Sequence, residues 1–192
     1  MELKCIPFVE SLPPLGMEQL DAADVMSKSV ITCSEIESAR SIWSKLAGCK
    51  HNGFPVVNAE SKCVGMILRV QLIVMMRKAA WSTAAGEPTA SGAAKGLTYD
   101  DFLCTLQSQT PPLDQEVLGV TDADLDQQHL DLRPVMNPHP LTVHEATPLA
   151  RVYRLYRALC VRHLPVVNVD NVVLGMISRK ELRTEWKGDS LI

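Results

Sequence analysis

The chain repeats itself. Displacing the sequence by 110 positions (165 − 55) lays Leu20-Asp21 on Leu130-Asp131, Val25-Met26 on Val135-Met136, Thr32 on Thr142 and Glu35 on Glu145, without a gap. The same register carries Pro55-Val56-Val57-Asn58 onto Pro165-Val166-Val167-Asn168, Gly65-Met66-Ile67 onto Gly175-Met176-Ile177, Arg69 onto Arg179 and Leu72 onto Leu182. Self-similarity at one fixed spacing is the mark of a supersecondary unit used twice.

Each copy carries the same order of local signals. Thr147-Pro148 reads as a helix start, a hydroxyl cap followed by proline at the first helical position, where a missing N–H costs nothing. Leu149, Val152, Tyr156 and Leu159 follow at helical spacing, with Ala39, Ile42, Leu46 and Cys49 as their counterparts in copy one. Two short apolar runs come next in each copy, Phe54 to Val57 with Cys63 to Leu68, and Leu164 to Val169 with Val172 to Ile177. Polar turn residues separate the members of each pair, so both pairs read as hairpins. A second helix begins near Arg69 and near Arg179. The predicted unit is strand, helix, strand, strand, helix, an α+β (α/β-like) class.

One such unit has little core of its own and leaves a sheet face uncovered, so the two copies are expected to pack as a pseudo-twofold pair. The expected layout is a lead-in at 1–19, copy one at 20–81, a flexible linker at 82–128, copy two at 129–188 and a tail at 189–192. Within the linker, Ser82 to Gly96 is rich in small residues and reads as a flexible loop. Tyr99 to Leu106 reads as a short helix, and Gln107 to Gln128 as an exposed connector.

Composition excludes several classes. Hydrophobic residues make up 46% and charged residues 21% of the 192, a globular balance, and the formal net charge of -3 offers no broad cationic field for nucleic acid. The longest apolar stretch, Val64 to Met76, is interrupted by Arg69 and Gln71 and falls far short of the roughly 20 residues needed to span a bilayer. Met1 to Glu10 lacks the basic start and apolar core of an export signal. The six cysteines form no CxxC pair and read as reduced structural thiols. Neither they nor the five histidines supply the close ligand pairs of a zinc site, so no metal is expected. No nucleophile–base constellation or phosphate loop points to an enzyme.

The repeat, with its Gly-apolar-apolar-(Ser/Thr)-x-x-acid ending, resembles the cystathionine-β-synthase-type (CBS) domain, and two in tandem resemble a Bateman module. The likeness covers almost the whole chain. Within that superfamily, His51-Asn52-Gly53-Phe54-Pro55-Val56-Val57 and Gly65-Met66-Ile67-Leu68-Arg69-Val70-Gln71-Leu72 are similar to the first CBS repeat of eukaryotic CLC-type chloride channels and chloride/proton exchangers. Met136-Asn137-Pro138 and Arg157-Ala158-Leu159-Cys160-Val161-Arg162-His163-Leu164 resemble the second repeat, with the intracellular exchanger branch nearest. Cys5-Ile6-Pro7-Phe8-Val9-Glu10 resembles the segment leading out of the membrane domain.

The resemblance implies an adenine nucleotide, ATP or also ADP or AMP, at one site shared by the repeats. Such a ligand needs a slot for the base, an acceptor for the ribose hydroxyls and donors for the phosphates. Ser178, Lys180 and Glu181 supply the last two, although the family's usual acid is Asp. The same Ser178 to Glu181 spacing also suits a capping arrangement with no ligand. In copy one the equivalent Leu68, Val70 and Gln71 lack the hydroxyl, the cation and the carboxylate. His51, Asn52, Gly53, Phe54 and Pro55 instead match the segment lining the adenine, where backbone groups read the base edge and a ring covers its face. Val30, with Ile31, adds backbone contacts on the strand before the first helix.

Taken without the resemblance, His51 is an ordinary loop histidine and Phe54 a core residue. Trp43 and Tyr153 serve as core or as a pairing surface. Arg151, Arg154, Arg157 and Arg162 form a basic run suited to phosphates, an acidic surface or a membrane domain, and most such runs are solvated helix faces. The implied function is a non-catalytic sensor on the cytosolic face of an endosomal, lysosomal or vacuolar membrane. Its partners would be the nucleotide, its own transmembrane transport domain and a second copy of the chain. The alternative is a structural dimerisation module with a vestigial pocket.

Overall fold

A computed structural model describes residues 12–89, 97–98, 100–102 and 113–183. After a 3-10 turn at Leu15–Gln19, the elements are α1 (Ala22–Val25), β1 (Cys33–Ser34), β2 (Ile36–Ser38), α2 (Ala39–Gly48), β3 (Gly53–Val57), β4 (Cys63–Leu68) and α3 (Arg69–Arg77). There follow α4 (Gln115–Leu118), α5 (Asp122–Gln127), β5 (His129–Asp131), β6 (Val143–His144), α6 (Leu149–Ala158), β7 (His163–Val167), β8 (Val173–Ser178) and α7 (Arg179–Leu182).

The repeat register survives folding. β1 runs parallel to β3 with Cys33 opposite Val56, and β6 runs parallel to β7 with Val143 opposite Val166, the same pairing 110 residues on (143 − 33). β4 and β8 complete the two three-stranded sheets. β7 and β8 pair antiparallel, with His163 opposite Ser178, and the ladder shifts register between Val166 and Val167.

Two compact units form, and their limits do not follow the repeats. A terminal unit comprises Met1–Val30, Ser61–Cys63 and Pro140–Ile192, and a central unit comprises Ile31–Glu60 and Val64–His139. Each copy has therefore surrendered its leading segment to the other. In the terminal unit Ser27 and Met176 exchange backbone hydrogen bonds of 3.0 and 3.0 Å; in the central unit Asn137 and Met66, their counterparts, do the same at 2.8 and 2.9 Å. A glycine lies beside each exchange, with a methionine packed over it. A Cβ on Gly175 would lie 2.3 Å from Met26 Sδ and 2.9 Å from its Cβ, and one on Gly65 would lie 2.3 Å from Met136 Sδ.

The hydrophobic clusters obey the same exchange. Met17, Ala22, Val143, Leu149, Val152, Tyr153, Leu164, Val166 and Ile177 build the terminal core. Ile42, Leu46, Phe54, Val56, Ile67, Leu72, Leu130 and Leu132 belong to the central core, with Leu118, Val120 and Leu125. Those last three lie in the segment expected as an exposed connector, and the structure corrects that expectation. Asp114 caps α4 by accepting from Glu116 and Val117, Thr121 caps α5 in a reciprocal box with Asp124, and Leu125 is fully buried. Arg40 on α2 reaches Asp126 at 2.8 Å and Asp122 at 3.3 Å, holding α5 against α2. A polar-looking stretch with only three core residues reads as solvent-exposed until its apolar side is given a neighbour.

Residues 82–89 also fold locally, where a flexible loop was expected. Ser82 exchanges backbone bonds with His129 at 2.7 and 3.1 Å, and Thr83 donates to Glu87 at 2.7 Å. The remainder of that loop, residues 90–96, most of the helix expected at 99–106, and residues 107–112 lie outside the described residues. Two helix starts differ in kind. Ser38 Oγ accepts from the Ser41 N–H at 3.3 Å at the start of α2. Pro148 occupies the matching position before α6, so Thr147 does not cap; its carbonyl accepts from Ala22 at 2.9 Å, and the Leu149 N–H donates to Leu20 at 2.7 Å.

Candidate functional site

Copy two turns sharply from β8 into α7 at Ser178. Extended backbone there frees the Ser178 Oγ to accept from the Lys180 N–H at 3.3 Å, while Glu181 Oε2 accepts from the Ser178 N–H at 2.8 Å and its hydroxyl at 2.5 Å. This is a reciprocal capping box. Ser178 and Glu181 are half-buried and Lys180 is exposed, so a hydroxyl, a carboxylate and an ammonium are gathered on one turn near the surface. Such a set offers acceptors to a diol and positive charge to an anion.

The equivalent turn of copy one has the same backbone and different chemistry. The Leu68 N–H donates to Gln71 Oε1 at 2.8 Å, which reproduces half of the box, and Gln71 Nε2 donates to the Val135 carbonyl at 3.1 Å. The side chain is thus committed to the segment that copy two contributes to the central unit.

His51 and Asn52 are exposed, and Gly53, Phe54 and Pro55 are buried at the start of β3. The loop ahead of them is set by Arg69, whose guanidinium donates to the carbonyls of Leu46 at 2.6 Å and Cys49 at 2.9 Å and so satisfies the C-terminal end of α2. The Arg69 N–H donates to the Asn52 carbonyl at 3.0 Å. Phe54 is 0% exposed, packed into the central core, so its ring is not the one that covers a base. Val30 is not on a strand: its N–H turns back to the Lys28 carbonyl at 3.0 Å and β1 begins only at Cys33. The terminal unit therefore holds Val30, Ser178, Lys180 and Glu181, and the central unit holds His51 to Pro55.

Sequence patterning missed a buried polar cluster in the central unit. Glu37 is 9% exposed, pairs with the ammonium of Lys45, and accepts from Ser41 Oγ at 2.5 Å and the Ser34 N–H at 3.0 Å. Lys45 also donates to the Thr32 carbonyl at 2.8 Å. Burial, helped by the neighbouring Glu37, pushes the Cys33 thiol up to about 12, which keeps it protonated and unreactive. The only cue was an acid eight residues ahead of a lysine, spanning the predicted start of a helix. Among the described residues no group of three or more His, Cys, Asp or Glu side chains is placed to hold a metal ion, and no helix is long and apolar enough to cross a membrane.

A doubled strand-helix-strand-strand-helix unit whose two copies exchange their leading segments defines a tandem-repeat α+β module. The CBS domain model matches residues 22–77 and 132–188, more than half of the sequence, and the chain belongs to the CBS domain family as a tandem pair. Among characterised proteins it is 32% identical to chloride channel protein C of Dictyostelium discoideum, over 95% of this chain and 24% of that protein. It is 34% identical to chloride channel protein CLC-d of Arabidopsis thaliana (98% and 24%), and 31% identical to H(+)/Cl(-) exchange transporter 7 of Mus musculus (95% and 23%). The chain thus spans about a quarter of the length of these relatives. Solved structures with the same fold include the CBS domain of a CBS-domain-containing membrane protein from Sphaerobacter thermophilus, with a TM-score of 0.54, 17% identity, and coverage of 86% of this chain and 87% of that one. The CBS pair of protein MJ0100, in complex with 5-methylthioadenosine and S-adenosyl-L-methionine, gives a TM-score of 0.51 at 16% identity, covering 85% and 96%.

Proposed function

We propose that this chain is the cytosolic regulatory CBS pair of a chloride channel or chloride/proton exchanger, and that it binds one adenine nucleotide, ATP or also ADP or AMP, to modulate chloride transport. The transport setting is supported by likeness to three such proteins over at least 95% of the chain. The observation that carries the nucleotide reading is the inequality of two matching turns. Ser178, Lys180 and Glu181 bring a hydroxyl, a cation and a carboxylate where Leu68, Val70 and Gln71 bring none.

In this reading Glu181 accepts from the ribose hydroxyls, Ser178 and Lys180 meet the phosphates, and the exposed ring of His51 takes the base. The backbone of Asn52, Gly53, Phe54 and Pro55 reads the base edge, and Val30 adds a further backbone contact. An adenosine ligand is in keeping with the two named for the MJ0100 pair. The nucleotide biases the attached transport domain only through different affinities for its functional states. The full protein sits in an endosomal, lysosomal or vacuolar membrane with this module on the cytosolic side, paired with a second copy.

The test is calorimetry of the chain and of Glu181→Gln with ATP, ADP and AMP. Glutamine at this position keeps the acceptor for the Ser178 N–H, as Gln71 does for Leu68, and removes the charge. Loss of a charge-assisted bond of about 1.5–3 kcal/mol predicts affinity at least about tenfold weaker with the fold intact. A second reading is favoured by the capping box, which already engages Glu181 with Ser178: a structural dimerisation module with a vestigial pocket. No heat from any nucleotide, in a folded chain that sediments as a dimer, would replace the sensor with that module.

A further inference from the structure

One methionine in each unit packs the leading segment onto the sheet. Met26 and Met136 stand at matching positions, each closing a helical turn: the Met26 N–H donates to the Ala22 carbonyl at 3.0 Å and the Met136 N–H to Leu132 at 2.8 Å. Where a side chain on Gly175 would begin, Met26 places Sδ at 2.3 Å, Cγ at 2.6 Å and Cβ at 2.9 Å. Over Gly65, Met136 places Sδ, Cγ and Cε at 2.3, 3.0 and 3.1 Å. The thioether thus fills the space each glycine leaves, beside the backbone exchanges of Ser27 with Met176 and of Asn137 with Met66. Both methionines also pack against the core of their own unit.

Access to solvent separates these thioethers from most others. Among the described residues Met17, Met66, Met75 and Met76 are buried, whereas Met26, Met136 and Met176 are half-buried. Met176 is a built-in control, because strand alternation puts it on the opposite face of β8 from buried Gly175 and Ile177. We propose that Met26 and Met136 are oxidation sites at which hydrogen peroxide reversibly loosens the leading segment of each unit. A sulfur lone pair attacks one peroxide oxygen; the O–O bond breaks, an S–O bond forms, and the other oxygen leaves as water with both protons. The same electron pair oxidises the sulfur and reduces the peroxide. The product is a polar, chiral sulfoxide, larger by one oxygen, where an apolar thioether had packed against backbone. Its lost apolar contact weakens the hold of the segment on β4 or β8. Met176 lies on the strand that leads into Ser178, but nothing in the oxidation requires a nucleotide.

The whole chain is exposed to dilute hydrogen peroxide and then to excess thiol reductant, which reverses sulfenic acids and disulfides but not sulfoxides. Peptide mapping and amide exchange are read on the same samples. Met26, Met136 and Met176 are expected to gain oxygen before the buried methionines. Protection of the Ser27 and Met176 amides falls about tenfold with oxidation of Met26, the scale of losing one partly buried apolar side chain. Oxidation of Met136 does the same to the Met66 and Asn137 amides, and methionine sulfoxide reductase restores both. Met26→Leu with Met136→Leu keeps the apolar bulk and holds its protection under peroxide, while Met176→Leu loses it as the parent does. Should leucine itself disturb the packing, the separate responses of the two units in the parent still decide the matter. Oxidation of Met176 alone, oxidation of Met26 and Met136 without loss of protection, or a loss the reductase does not reverse overturns the proposal. Nucleotide titration of the untreated chain is independent of all these outcomes, so failure here is distinct from failure of the nucleotide reading.

Discussion

Copy one and copy two have one backbone plan and opposite uses for their polar side chains. In copy one, polar groups close inward. Gln71 bonds the Val135 carbonyl, buried Glu37 pairs with half-buried Lys45, and Arg40 grips α5 through Asp122 and Asp126. Copy two keeps Ser178, Lys180 and Glu181 on one turn near the surface and lines α6 with exposed arginines. The difference teaches that two copies of one backbone plan can carry unlike polar chemistry at matching positions.

The comparison breaks most visibly at α5. Leu125→Ala leaves a cavity in the central core and is expected to cost about 2–5 kcal/mol, read from chemical denaturation. Amide protection should fall across the central unit and hold in the terminal unit. If α4 and α5 were a mere connector, the cost would be within about 0.5 kcal/mol.

The two turns provide a sharper contrast. Gln71→Glu turns a carboxylate oxygen toward the Val135 carbonyl, leaves that acceptor without its donor, and should destabilise by about 1–3 kcal/mol. Glu181→Gln retains its main acceptor role and should change stability by less than about 0.5 kcal/mol, so thermal melts of the pair ought to diverge. Equal losses would mean that the turns are not used differently.

The smallest effect is electrostatic. The bond from Lys78 holds Asp101 down at about 2, and the bond from Arg40 lowers Asp126. Burial pushes Asp131 up, but the bonds from Arg133 outweigh it and its net shift is downward. All three carboxylates lie in the central unit. Because the folded values are depressed, the unfolded chain binds more protons in acid. The stability they contribute is present above the ordinary carboxylate value of 3.8 and is lost as pH falls toward 2. Denaturation followed between pH 5 and pH 2 should show a shallower loss in Asp101→Asn than in the parent, and parallel curves would remove Asp101 from the account.

The geometry of the Ser178 turn was legible because it is local. The Ser178 to Glu181 spacing implied a capping box from sequence alone, and the lack of equivalents in copy one was plain by alignment of the chain with itself. The reach of Gln71 to Val135 was not legible, since 64 residues separate them and no periodicity links them. Phe54, by contrast, read as a core residue from its own chemistry, and it is fully buried.

The sequence by itself determined the repeated unit and the order of elements within it, because hydrophobic periodicity and turn residues act over a few positions. Only the tertiary structure decided which copy each leading segment joins. Leu20 to Met26 and Leu130 to Met136 share Leu-Asp at their starts and Val-Met at their ends, and this likeness does not say which sheet either joins. The exchange is visible only in long-range contacts, Met26 against Gly175 and Met136 against Gly65, which no local signal contains.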